Sequence, residues 1–244
     1  MATTSHVQPE LVEHAKAAQT TIALKILMAV SGLLFIAFVF GHMYGNLKAF
    51  AGHDAFNEYA EHLRELGEPM LPHEGFLWLM RVGLLTALLV HVVVGIKLWR
   101  RAGRARTVKY QVKKHTGAIP ASLILRWAGV TIGLFLIWHL LEFTIVKVNV
   151  GDGPAYFRHD PYNLMVDSFQ VWWMTLIYLA ALTMLGAHLH HGFWAACQTL
   201  GFNRTARARA RSRRFSLALA LIITVGFAAV PIAVLSGVIT NQGA

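Results

Sequence analysis

Five long apolar runs divide the chain, at about residues 21–44, 76–99, 121–146, 168–196 and 215–239. They are rich in leucine, isoleucine, valine, phenylalanine and alanine, and none alternates strictly as a barrel strand does. A helix rises about 1.5 Å per residue, so roughly 20 apolar residues cross a hydrocarbon core about 30 Å thick. The pattern predicts an all-α protein, a single transmembrane domain over residues 1–244 with five spans. The polar lead-in over residues 1–20 shows no cleavable signal pattern and is expected to be a cytoplasmic tail or an interfacial helix.

The polar segments between the runs sort by charge. Residues 97–114 carry Lys97, Arg100, Arg101, Arg104, Arg106, Lys109, Lys113 and Lys114 without an acid, and residues 203–214 carry six arginines without an acid. Residues 46–75 and 147–167 are mixed or acidic. Basic loops remain on the cytoplasmic side. The expected topology is therefore N-terminus in, C-terminus out. Trp78, Trp99, Trp172 and Trp173 fall near predicted span ends, as interfacial aromatic residues do.

Composition agrees. Charged residues are 14% of the chain and hydrophobic ones 56%, against about 25% charged in soluble domains. The net charge of +10 is explained by orientation and by contact with anionic membrane lipid or a docked partner, so no nucleic-acid partner is expected. One cysteine, Cys197, excludes an internal disulfide and a cysteine-ligated iron–sulfur cluster. Any redox group must use other ligands, and thirteen histidines are present.

Ionisable side chains inside spans are costly and are functional candidates by default. The first four runs each hold one inside: His42, His91, His139 and His188. With spans alternating in direction, His42 and His139 share an outer level, and His91 and His188 an inner one. Each level then has the two imidazoles that bis-histidine haem ligation needs, at the centre of a four-helix bundle. Two levels predict two stacked haem b groups, with the fifth span outside the set.

An internal repeat supports the pairing. His42 and His91 are 49 residues apart, as are His139 and His188. Gly32 and Gly129 precede the first histidine of each pair by ten residues, and Gly95 and Gly192 follow the second by four. Ten helical residues span about 15 Å, which carries Gly32 and Gly129 to the inner level. Gly95 and Gly192 border the ligand on its own helix face. At all four, a missing Cβ lets a flat macrocycle approach. His191 is a rival to His188. Interhelical hydrogen bonding is the plainer role for such histidines.

Three further buried charges complete the candidate set. Arg81 and Arg126 fall at the outer and inner levels and are expected to pair with propionates, or, for Arg81, with Glu142. Glu142, three residues after His139, is a candidate for proton transfer to a quinone, or equally for a structural salt bridge. Tyr44, Asn46, His73 and Glu74 are weaker candidates near the outer surface, and Lys25 is placed to snorkel.

Taken together, these residues resemble the cytochrome b subunit of two-haem, single-anchor succinate:quinone oxidoreductases (succinate dehydrogenases) and fumarate reductases. The likeness rests on one histidine in each of spans one to four, on the run His188-Leu-His-His-Gly-Phe-Trp continuing to Gln198-Thr-Leu-Gly201, and on Arg126-Trp-Ala-Gly129 followed by Trp138-His139-Leu-Leu-Glu142. Ser31-Gly32 to His42 fits more loosely. The resemblance implies distal-haem ligation by His42 and His139 and proximal-haem ligation by His91 and His188. It implies flavoprotein and iron–sulfur partner subunits at the cytoplasmic face of a bacterial inner membrane. Electrons would pass between succinate or fumarate and a membrane quinone, often menaquinone. The family's glutamate two residues before the last ligand is here Gly186, which puts that proton route in doubt. The chain has no dehydrogenase motif of its own. A cytochrome b subunit of a nitrate reductase, formate dehydrogenase or hydrogenase, and a haem-free transporter or scaffold, remain as alternatives.

Overall fold

A computed structural model describes residues 20–105, 121–145, 150–151 and 160–242. Among these there are helices and no strands. Seven α-helices follow in order: α1 Thr21–Leu47, α2 His53–Glu65, α3 Gly75–Arg104, α4 Ala121–His139, α5 Pro161–Gln170, α6 Trp172–Thr199 and α7 Ala206–Leu235. A 3₁₀ turn, Lys48–Ala51, extends α1, and a π-helical turn, Leu140–Thr144, extends α4. Five helices are long and apolar enough to cross a membrane, α1, α3, α4, α6 and α7. The protein is a multi-pass membrane protein.

Local chemistry sets the helix starts. The Thr20 hydroxyl accepts from Ala23 N at 3.2 Å and opens α1. Asp160 accepts from Asn163 N and precedes Pro161, the first residue of α5. Proline suits that position because its missing N–H has no partner there anyway. The Thr205 hydroxyl accepts from Ala208 N at 3.1 Å and opens α7.

Two predicted boundaries change. The fourth run is not one helix from residue 168. Ser168 belongs to α5, the chain breaks to an extended conformation at Val171, and the spanning helix begins at Trp172. The whole stretch reads as apolar because Tyr162 to Phe169 are all buried. The fifth helix begins at Ala206 rather than Phe215, so the arginine run is helical. Alanine and arginine are both good helix formers, and an arginine-rich first turn is no bar once Thr205 caps it. The first span runs to Leu47 and the second from Gly75 to Arg104. The end of the predicted third span at Val146, the N-terminal tail and residues 106–114 of the basic segment lie outside the described residues.

The spans alternate in direction. Arg101 donates to Thr21 Oγ1 at 3.3 Å, bringing the end of α3 to the start of α1. Arg126 stacks over Trp99 at 5.2 Å, which adds the start of α4 to the same end. His190 and Ser216 meet at 3.0 Å, where α6 descends and α7 begins. This is the arginine-rich end. The opposite, acidic end is closed by α2, α5 and the segment after α7.

Neighbouring helices pack as α1 with α3, α6 and α7, α4 with α6, and α6 with α7. Among the described residues α3 and α4 hardly touch. The apolar core sits toward the acidic end, where Tyr162, Met165, Val166 and Phe169 of α5 pack on Met174 and Tyr178 of α6 and Val230 and Val234 of α7. Elsewhere the spans turn large apolar side chains outward, such as Leu85, Leu89, Leu134 and Val225. A soluble protein would not expose such a surface; a bilayer is its natural solvent.

Candidate functional site

The four histidines meet in two pairs. The His42 and His139 ring centres are 5.9 Å apart with planes at 77°. Those of His91 and His188 are 6.2 Å apart at 57°. The first pair joins α1 to α4 near the acidic end, and the second joins α3 to α6 nearer the arginine-rich end. Neither α1–α4 nor α3–α6 is a packed helix pair. The rings therefore reach across the diagonals of the four-helix set, while the backbones touch only their neighbours.

The environment follows the sequence repeat. Phe38 stacks on His42 at 5.4 Å and 10°, and Phe135 stacks on His139 at 5.8 Å and 25°. Each phenylalanine precedes its histidine by one helical turn. A Cβ on Gly32 would lie 3.5 Å from His91 Cε1, and one on Gly129 would lie 3.6 Å from His188 Cε1. Both glycines thus reach the inner pair, as their ten-residue offset predicts. Gly95 faces Met28 Cε at 3.3 Å, and Gly192 opens onto empty space. His191 contacts His190 at 5.1 Å between ring centres; the ring that meets His91 is that of His188.

Two hydrogen-bond chains orient the rings. Ser31 Oγ lies 2.8 Å from Leu27 O and 3.2 Å from Met28 O. Its single proton goes to these carbonyls, so at 3.0 Å it accepts from His91 Nδ1. At the other level the Tyr178 hydroxyl donates to Glu142 Oε2 at 3.1 Å. Its oxygen then accepts from His139 Nδ1 at 3.1 Å. Both rings carry their proton on Nδ1, which leaves Nε2 bare as a ligand or acceptor. His188 differs. The Leu125 backbone lies beside it, but its Nδ1 is buried without a well-formed hydrogen bond.

Glu142 is 1% exposed and sits on the π-helical turn that begins directly after His139. That turn is closed by Ile145 N donating to Leu140 O at 2.7 Å. Such turns are rare and occur often at functional sites. The Ser168 hydroxyl and Trp138 indole lie beside the carboxyl, yet both of these, and Glu142 Oε1, are buried without a well-formed hydrogen bond. Two polar atoms, Ser168 Oγ and Trp138 Nε1, thus lie beside one buried carboxyl.

The two predicted arginines stand near the starts of α3 and α4. Arg81 approaches Glu74 Oε2 at 3.7 Å and stacks over Trp78 at 4.9 Å, so it does not pair with Glu142. Arg126 is exposed on the Trp99 ring and makes no ion pair among the described residues. Of the weaker candidates, Asn46 donates to His42 O at 2.8 Å, Tyr44 meets the Lys48 ammonium at 5.2 Å, and His73 meets Glu68 at 3.2 Å. A side chain on Gly186 would begin 2.6 Å from Thr224 Oγ1, so this position seats α6 against α7.

Ser31 and Tyr178 escape a sequence reading that looks for titratable residues inside spans. The one signal that could have pointed to Ser31 is its place directly before a repeat glycine; Tyr178 carries no signal of its own. No family model matches the chain, and comparison with curated proteins and with solved structures likewise finds no match.

Proposed function

We propose that the protein is the di-haem cytochrome b membrane anchor of a succinate:quinone or fumarate oxidoreductase, with His42 and His139 ligating one haem and His91 and His188 the other. The observation that carries this reading is the meeting of four imidazoles in two pairs at two depths, one ring of each pair held through its Nδ1. Two imidazoles sharing one metal ion, at about 2.0–2.1 Å per bond, have ring centres roughly 6–6.5 Å apart. The observed 5.9 and 6.2 Å fit that spacing.

The donor set also fits. No group of three or more histidine, cysteine, aspartate or glutamate side chains converges as a metal site among the described residues. Two protein donors leave a bare ion short of ligands, since structural zinc takes four. They would suit a haem iron, which brings its remaining donors with it. Gly32 and Gly129 keep the wall beside the inner pair bare of side chains.

The haems, when bound, supply one-electron transfer at two depths. The protein's own residues do the rest. Ser31 and Tyr178 fix the Nδ1–H tautomers and the ring orientations, which raises ligand basicity. Phe38 and Phe135 hold the rings of the acidic-end pair from the side. Glu142, reached from His139 through Tyr178, is the proton-carrying group we assign to quinone chemistry. It is buried, so protons would reach it through the polar cluster with Ser168 and Trp138. The arginine-rich end is the cytoplasmic face in this reading, where flavoprotein and iron–sulfur subunits would dock.

The test is a reduced-minus-oxidised spectrum of the purified chain. Two b-type haems per chain are expected. His139→Ala and His188→Ala are each expected to lose one. A wild-type chain with no b-type absorbance ends the reading. Succinate-driven haem reduction in membranes separates the succinate family from other respiratory cytochromes b.

A further inference from the structure

A cavity of about 550 Å³ opens between α6 and α7 at the arginine-rich end, lined by His190, Trp194, Arg209, Arg213, Arg214 and Leu217. No acid lines it, and its three arginines make no ion pair among the described residues. The Trp194 indole nitrogen is buried and lacks an acceptor. Three exposed guanidinium groups gather around one hollow, where a bound anion would offset their mutual repulsion.

The register of α7 indicates which anion. Arg209, Arg213, Leu217, Leu221 and Val225 follow at four-residue intervals and so form one inclined row that winds along the helix. Its first two members are charged and line the cavity or its mouth. The last three are apolar and exposed, at 48%, 54% and 63%. A free phosphate would use only the charged part. A water-soluble protein partner would not need the apolar part, which runs down into the hydrocarbon region. A phosphodiester joined to an acyl chain uses both. Basic pockets between helices on this side of a membrane hold such headgroups.

We propose that this cavity binds an anionic phospholipid, with the phosphate among Arg209, Arg213 and Arg214 and an acyl chain along Leu217, Leu221 and Val225. The site is independent of the haem assignment. It fastens α6, which carries His188, to α7 at the membrane surface.

The experiment uses the purified full chain in neutral detergent, with lipid retention followed by native mass spectrometry and by melting temperature. Phosphatidylglycerol is expected to be retained and to raise the melting temperature above that with phosphatidylcholine. Each of Arg209→Gln, Arg213→Gln and Arg214→Gln is expected to weaken retention about fivefold, and Arg213→Lys to weaken it less. Arg100→Gln, at a separate basic hollow lined by Leu24, Lys97, Arg100, Arg101 and Arg104, is expected to leave retention at this site unchanged. The single variants keep the test open should a triple variant not fold. Equal retention of phosphatidylcholine, unchanged retention in all three glutamine variants, or an equal melting shift from inorganic phosphate alone would each overturn the proposal. So would expulsion of the lipid when partner subunits are added, which would make the cavity a protein-docking site.

Discussion

A serine hydroxyl has one proton to give, and Ser31 gives its own to the backbone. That fixes His91 with its proton on Nδ1. The repeat shows what its absence does. The residue that corresponds to Ser31 in the second half is Ala128, which is fully buried, and there the His188 Nδ1 is left without a partner. Ala128→Ser is therefore expected to supply the missing acceptor. On the proposed reading it should slow haem loss from the purified chain, followed as decay of the b-type band after dilution. Tyr178→Phe works in the opposite sense. It removes the acceptor of His139 and the donor to Glu142, and should weaken haem retention by about 10–100-fold, while Phe135 and Phe169 keep the ring packed. Unchanged retention in Tyr178→Phe would separate the tyrosine from the ligand's support. The histidines themselves were legible because an imidazole in an apolar run stands out. Their partners were not, because a serine or tyrosine in a span is ordinary until its neighbour is known.

At the scale of elements, the apolar pattern found the five long helices, missed the short helices α2 and α5, and erred where burial comes from protein instead of lipid. Residues 162–169 are as buried as any in the molecule, yet they belong to a short helix lying on α6 and α7, and hydropathy alone does not separate the two environments. The Asp160–Pro161 pair marks the true start, a cap followed by a residue suited to the first turn. The arginine run went the other way, read as loop by its charge and helical by its propensity. Packing between α6 and α7 depends on Gly186. Gly186→Val places two methyl groups where a Cβ alone would meet Thr224 Oγ1 at 2.6 Å, and should cost about 1–3 kcal/mol, read as a lower melting temperature. An unchanged melting temperature would mean that the helices part easily there.

For the whole molecule, the acidic end is latched by a polar knot that joins three distant parts of the chain. Asp160 meets His53 Nε2 at 2.9 Å and accepts from Asn57 at 2.8 Å. Asn163 donates to Gln242 O at 2.8 Å and accepts from Gln242 N at 3.1 Å. Hydrogen bonds to Asp54 and Asp160 hold the His53 pKa above its ordinary 6.5. Burial is the largest single influence on Asp160 and would raise it, but the bonds from Asn57, His53 and Asn163 together outweigh this and hold it below its ordinary 3.8. A raised histidine contributes stability that is complete below its unfolded value and fades as pH climbs through the folded one. A depressed carboxylate contributes stability that is complete above its unfolded value and fades as pH falls through the folded one. Both contributions are complete between pH 3.8 and 6.5. The melting-temperature gap between wild type and His53→Gln should be widest in that window and narrow toward alkaline pH. A gap that does not vary with pH would mean that the His53 charge is irrelevant to the latch.

The poor contact between α3 and α4 also bears on how the protein is made. The other sides of the four-helix set are shut by packed neighbours, and α7 backs the one between α1 and α6. Among the described residues that leaves one lateral doorway, and on the proposed haem reading a flat macrocycle could enter there after the helices have inserted. Tying α3 to α4 by a cross-link before loading should bar entry, while the same tie made afterwards should trap the guest inside. Comparing the two orders of addition would tell whether the chain is filled sideways from the membrane or built around its cargo during synthesis.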